Sequence, residues 1–129
     1  MKVSARRRKG LAHTVTFEHH TVISDEPTEH GGADTGPRPT ALLAMSLAAC
    51  TAITIEMYAD RKDLDVGELV VDVDYSIHPK GVSGFDVTLR LPAGLSDEEV
   101  EQLRTIAAKC PVHRVLKGEV AIRDRVERG

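Results

Sequence analysis

The feature that most constrains the fold is the apolar stretch ALLAMSLAACTAITI, which covers residues 41–55. It contains no glycine or proline, and Pro39 stands just before it, at a position that suits the first turn of a helix. From Leu42 to Ile55 the stretch is apolar nearly all round, which is typical of a buried helix rather than a surface helix. The run ends at Glu56, short of the roughly 18 residues that a membrane span needs. We therefore expect a buried central helix and no membrane-spanning segment.

Alternating apolar and polar residues on both sides of this helix predict strands. The dipeptide KG predicts a hairpin turn between the first two strands, and the Gly/Pro-dense segment 26–39 predicts a long loop of the kind that often carries function. The predicted strands are 2–8, 12–18, 20–26, 67–79, 84–92 and a closing strand at 118–127.

A second helix is predicted over 95–109. Ser96 is placed as its N-cap, and Glu99, three residues later, would complete a capping box. Pro111 cannot continue this helix, so we expect a break near Cys110. The order of elements indicates an α+β fold in which antiparallel strands wrap around the helices, in a single domain over residues 1–129.

Composition excludes several classes of protein. Hydrophobic residues make up 41% of the 129 residues and charged residues 29%, as in ordinary soluble domains. The net charge of −3 gives no reason to expect nucleic acid or a membrane surface as a partner, and RRRK at 6–9 is interpreted as a solvated turn. No apolar segment follows the basic N-terminus, so we expect a cytoplasmic protein with reduced thiols. Only 3% of residues are aromatic, which suggests a core of aliphatic side chains that gains support from a partner subunit.

The two cysteines, Cys50 and Cys110, are the candidate reactive groups. A proline after Cys110 would place this thiol at a helix N-cap, and it has basic neighbours, so the local sequence favours Cys110 as the more exposed nucleophile. Cys50 lies inside the apolar stretch, where burial should raise its pKa and leave it inert. Two alternatives remain open. Both cysteines could be small core residues, or Cys110 and His113 could be half of a metal site completed by other histidines, namely His13, His19, His20 or His30.

Two longer stretches together resemble the OsmC/Ohr family of osmotically inducible and organic hydroperoxide resistance proteins. They are SDEPTEHGGADTGPRPTALLAMSLAACTAI at 24–53 and CPVHRVL at 110–116. The resemblance implies an α+β fold built as an intertwined homodimer, in which each active site takes residues from both subunits. It also implies a peroxidase that needs no bound cofactor or metal.

The resemblance reverses the local assignment of the thiols. It implies that Cys50 is the peroxidatic cysteine, which attacks the hydroperoxide and becomes a sulfenic acid. Cys110 is then the resolving cysteine, which forms a disulfide that an external dithiol reduces. The implied partners are thus a second copy of the chain, a small hydroperoxide and a dithiol reductant. The arginine that activates the peroxidatic thiol in the family corresponds to Arg8 in RKG, with Arg7 as the second choice.

One position departs from the family pattern. Ohr-type members carry a glutamate ten residues before the peroxidatic cysteine, and this chain has Thr40 there. Glu26 or Glu29 in the adjacent loop could supply the missing carboxylate. The departure suggests a divergent OsmC-like branch. The alternative function is a non-catalytic protein that binds a small lipophilic ligand in the groove around the cysteines.

Overall fold

The computed structural model describes residues 1–129 and confirms the α+β class. The elements are strands β1 (Val3–Lys9), β2 (Ala12–Phe17) and β3 (His20–Ser24), a 3₁₀ turn (Thr28–His30), helix α1 (Pro39–Arg61), strands β4 (Val70–Ser76) and β5 (Gly84–Arg90), and helices α2 (Asp97–Ala107) and α3 (Pro111–Lys117). Strands β1, β2 and β3 form one antiparallel sheet in that order, and β4 pairs with β5 in a second sheet.

The chain divides into two compact units. The first unit comprises Met1–Met45 and Tyr75–Gly84, and the second comprises Ser46–Asp74 and Phe85–Gly129. The two units are described separately below, and the single domain over 1–129 stays a prediction.

The β1–β2 hairpin of the first unit turns where KG predicts it. Gly10 has a φ of +58°, in the left-handed region that glycine adopts without steric cost, and its carbonyl accepts a hydrogen bond of 2.9 Å from Arg7 Nε. The pairing register with β2 shifts between Arg7 and Lys9, which leaves Arg8 as the extra residue of a β-bulge. A bulge changes the direction in which a side chain points. The side chain of Arg8 therefore departs from the regular alternation of β1.

The predicted loop folds around one buried carboxylate, that of Asp25, which is 2% exposed. Its Oδ1 accepts the Glu26 N–H at 2.8 Å, and its Oδ2 accepts the Ala33 N–H at 3.2 Å, the Thr35 N–H at 3.1 Å and the Thr35 hydroxyl at 2.7 Å. These bonds, led by that of the Thr35 hydroxyl, lower the pKa of Asp25 from 3.8 to about 2. The ionised carboxylate therefore ties the loop into a fixed shape.

We predict that the hydrogen bonds to the Asp25 carboxylate make part of the protein's stability sensitive to acid. The pKa of Asp25 is lower in the folded chain than in the unfolded one, so its contribution is complete above about pH 4 and is lost as the pH falls through about 2. Thermal unfolding of Asp25→Asn and of the unmodified chain should show a lower melting temperature for the variant at pH 7. The difference should narrow between pH 4 and pH 2, and a difference independent of pH would contradict the assignment.

The second unit is built on an aliphatic core. Ile55 and Leu103 are completely buried, and Ala59, Val66 and Ala107 complete the cluster with less than a tenth of their surface exposed. Helix α2 starts as predicted. The Ser96 side chain accepts the Glu99 N–H at 3.1 Å and the Glu99 carboxylate accepts the Ser96 N–H at 2.9 Å. The capping box thus satisfies two backbone donors at the start of α2.

The expectation that helix α1 is buried on all sides is wrong. Its buried residues recur every three or four positions, while Met45, Ile53 and Met57 are more than half exposed. The helix is long and apolar enough to cross a membrane by length and composition, although core helices of soluble proteins pass the same test. Periodicity shows that a helix face is apolar but does not show what covers it. The absence of a membrane span stays a prediction.

The predicted closing strand at 118–127 is wrong. Residues 119–129 form no helix or strand and are exposed throughout. Val120, Ile122 and Val126 give the segment a partly alternating pattern, but a strand also needs an edge to pair with. In this structure the segment pairs with neither sheet.

Candidate functional site

The two cysteines lie together in the second unit, and both are free. Cys110 is completely buried, whereas Cys50 is partly accessible and hydrogen-bonds to the Cys110 thiol. The local prediction that Cys110 is the more exposed thiol is therefore wrong. As an N-cap, its side chain turns back over the first turn of α3 and points into the protein.

Cys110 nevertheless caps a helix, as its neighbours in the sequence predict. Cys110 is the N-cap of α3, and Pro111 occupies the first helical position. Its Sγ accepts the backbone N–H of His113 at 3.2 Å and the hydroxyl of Thr51 at 3.8 Å. The C-x-x-H spacing thus produces a cap, with the His113 backbone and not its imidazole bonded to sulfur. No group of three potential metal ligands comes together in the structure.

The environment of Cys50 raises the pKa of its thiol, mainly because partial burial disfavours the thiolate. The backbone N–H of Val112 opposes this effect by hydrogen bonding to the sulfur, and the Thr54 hydroxyl acts in the same direction. The neighbouring Cys110 thiol raises the pKa further. The direction agrees with the prediction from the apolar stretch, and the accessible thiol of the pair is mostly protonated near neutral pH.

Sequence reasoning missed four donors that serve the two sulfurs. Each sulfur has one threonine hydroxyl from α1, Thr54 for Cys50 and Thr51 for Cys110. Each sulfur also accepts one backbone N–H from the first turn of α3, that of Val112 for Cys50 and that of His113 for Cys110. Thr54 follows Cys50 by four positions in CTAIT, a spacing that brings two side chains together on a helix, and that was the available signal for Thr54. Thr51 is one position from Cys50 and had no such signal. The backbone donors had no signal in the side chains.

The structure places Arg8 in the first unit, where it is exposed and lines a pocket of about 510 Å³ with Lys9 and the Gly31–Gly32 segment. Arg7, the second choice, is bonded to the Gly10 carbonyl. The role of Arg8 toward Cys50 stays a prediction.

The acids that could replace the carboxylate absent at Thr40 also belong to the first unit. Glu26 Oε1 lies 3.7 Å from His30 Nδ1, and Glu29 accepts the Thr28 hydroxyl at 2.9 Å. Hydrogen bonding by the Glu29 backbone N–H and by Thr28 lowers the pKa of Glu29. Both carboxylates therefore have partners within their own loop, and their roles in catalysis stay predictions.

Comparison with known families gives one match that covers most of the chain. The family model described as OsmC-like protein matches residues 31–123, which include both cysteines and the Gly-rich loop. None of the curated proteins matches the sequence.

Solved structures show the same fold. A protein of Psychrobacter arcticus described as an osmotic stress induced and detoxification response protein is 23% identical with a TM-score of 0.78, covering 88% of this chain and 85% of that one. An OsmC-like protein of Mycoplasma pneumoniae is 22% identical with a TM-score of 0.76, covering 91% and 86%. A Vibrio cholerae protein described as an organic hydroperoxide resistance protein, with captopril in one of its active sites, is 27% identical with a TM-score of 0.63, covering 92% and 85%.

Proposed function

Because this chain belongs to the OsmC-like protein family, we propose that it is a thiol-dependent peroxidase that reduces organic hydroperoxides. Three of the structural relatives, from Legionella pneumophila, Vibrio cholerae and Elizabethkingia anophelis, are described as organic hydroperoxide resistance proteins. The observation that carries the proposal is the hydrogen bond between two free thiols of unequal accessibility, Cys50 and Cys110.

The unequal burial of the two thiols suits a sequence of two steps. In the first, the Cys50 thiolate attacks the terminal oxygen of the hydroperoxide. The O–O bond breaks, Cys50 becomes a sulfenic acid, and the alkoxide leaves and takes up a proton as an alcohol. In the second, the Cys110 thiolate attacks the Cys50 sulfur, and the departing hydroxide takes up a proton as water. An external dithiol then reduces the disulfide, so the chain needs no bound cofactor.

Two further parts of the proposal concern groups outside this thiol pair. Arg8 supplies the positive charge that offsets the raised pKa of Cys50, by resemblance to the family. A second copy of the chain covers the exposed apolar face of α1, formed by Met45, Ile53 and Met57. The homodimer works in the cytoplasm, where dithiol reductants keep both cysteines reduced.

The raised pKa of Cys50 favours a second candidate function. A thiol held mostly protonated near neutral pH is a poor nucleophile, and Thr40 stands where the family acid would help to position a cation. In that case the chain is a non-catalytic protein that binds a small lipophilic ligand in the groove around the cysteines.

A titration with one organic hydroperoxide separates the two functions. We expect one equivalent of tert-butyl hydroperoxide, added to the reduced protein, to remove both thiols and produce an intrachain disulfide. The mass of the chain should fall by two hydrogen atoms, and a small dithiol should restore it. If both thiols remain after an excess of hydroperoxide, the peroxidase proposal fails and the ligand-binding candidate takes its place.

A further inference from the structure

The Thr51 hydroxyl is buried beside the sulfur atom of Cys110. Thr51 is 1% exposed, on the face of α1 that packs into the second unit, and the hydrogen bond of its hydroxyl goes to Cys110 Sγ at 3.8 Å. Burying a hydroxyl without a good acceptor costs free energy, and a neutral thiol is a weak acceptor. The contact therefore adds little stability while Cys110 is protonated.

The same contact becomes stronger when Cys110 loses its proton. A hydrogen bond to a charged acceptor is roughly twice as strong as one between neutral groups. The Cys110 sulfur then has two donors from different elements, the Thr51 hydroxyl from α1 and the His113 N–H from α3 at 3.2 Å. Two donors from separate helices hold the sulfur atom in place and also stabilise its negative charge.

The second step of the proposed reaction requires Cys110 in this deprotonated state. Cys110 must attack the oxidised Cys50 as a thiolate, and because it is completely buried, the donors that bind the charged sulfur must come from the protein. An interaction that is stronger for the reacting state than for the resting state accelerates the step in which that state forms. The Thr51 hydroxyl meets this condition.

We propose that Thr51 is the positioning residue of the resolving step, whose hydroxyl holds Cys110 Sγ and stabilises the thiolate that attacks oxidised Cys50. The inference rests on the proposed peroxidase function and adds to it a role for a residue outside the cysteine pair. Thr51 is 1% exposed, and its hydroxyl acts through Cys110.

The test follows both steps in one reaction. Reduced protein receives one equivalent of tert-butyl hydroperoxide, and quenched samples are divided between dimedone, which labels the sulfenic acid, and a mass assay for the disulfide. We expect Thr51→Val to slow disulfide formation by roughly tenfold, a larger effect than on hydroperoxide consumption, so that labelled Cys50 accumulates. Thr51→Ser, which keeps the hydroxyl, should restore most of the rate. Thr105→Val is the matched control, because it removes a hydroxyl that bonds the Glu101 carbonyl on the exposed surface of α2.

Each other outcome has one meaning. If Thr51→Val forms the disulfide at the unmodified rate, the positioning role is wrong and the peroxidase proposal stands. If Thr51→Val and Thr51→Ser are equally slow, packing and not the hydroxyl matters, and the positioning role is again wrong. If the unmodified chain loses no thiol to the hydroperoxide, the proposed function itself fails, and this is visible before any variant is compared.

Discussion

Cys50→Ser is expected to abolish hydroperoxide consumption, reducing its rate by at least about 10³-fold, to the level of the uncatalysed reaction. A serine hydroxyl ionises far above the range of a thiol and cannot form the sulfenic acid on which the second step depends. The substitution is nearly isosteric at a partly buried position, so the helix should remain folded. The measurement is the initial rate of tert-butyl hydroperoxide loss with a small dithiol as reductant.

Cys110→Ser is the matched control, since it makes the same chemical change on the second thiol. This variant should still consume one equivalent of hydroperoxide per chain and then hold Cys50 as a sulfenic acid that dimedone labels. The contrast assigns the roles, because only loss of the peroxidatic thiol prevents the first turnover. If Cys50→Ser consumes hydroperoxide at the unmodified rate, or if Cys110→Ser alone abolishes the first turnover, the assignment taken from the family is wrong.

The accessibility of Cys50 and the raised pKa of its thiol favour different roles for this residue. Cys50 is the sulfur that a substrate can reach, but burial and the neighbouring Cys110 thiol together raise its pKa more than the Val112 N–H and the Thr54 hydroxyl lower it. Cys110 has two donors and no access to solvent. This arrangement suits a resolving cysteine and leaves the peroxidatic cysteine in need of a further donor or charge. The proposed contribution of Arg8 addresses that need.

Local sequence was sufficient for the features that depend on a few adjacent residues. The hairpin at Gly10, the capping box of α2 and the N-cap at Cys110 each follow from backbone chemistry within four residues, and the structure confirms all three. The α+β class follows from the order of such elements.

The exposure of each thiol depended on contacts that local sequence does not encode. The prediction of the more exposed cysteine failed because the cap turns the Cys110 side chain inward, beneath the buried face of α1. The closing strand failed because its alternation has no partner edge in the chain. Thr51 was overlooked because a threonine among alanines on a helix has no signature until its neighbour across the fold is known.

Gly32→Ala is expected to have the largest effect on stability, because the loop leaves no space for a side chain there. A Cβ at Gly32 would collide with the Glu26 carbonyl and lie 2.9 Å from Asp25 Oδ1. Backbone atoms cannot move aside as a flexible side chain does, so the loop must open. It then loses three hydrogen bonds to Asp25, from the Ala33 N–H, the Thr35 N–H and the Thr35 hydroxyl. We expect a loss of about 3 kcal/mol, since each such bond contributes about 1 kcal/mol. This corresponds to a fall in melting temperature of about 10 °C.

Gly94→Ala is the matched control for Gly32→Ala, because it adds the same methyl group where no atom lies within 4 Å. Its melting temperature should equal or slightly exceed that of the unmodified chain, since alanine restricts the unfolded state more than glycine does. The two variants together separate the collision from the general effect of replacing glycine. Equal melting temperatures would mean that the loop yields without cost, in which case the Asp25 network does not hold it. A fall confined to Gly32→Ala, and diminished when Asp25 is already replaced by asparagine, would show that the methyl group and the lost carboxylate bonds act through the same loop.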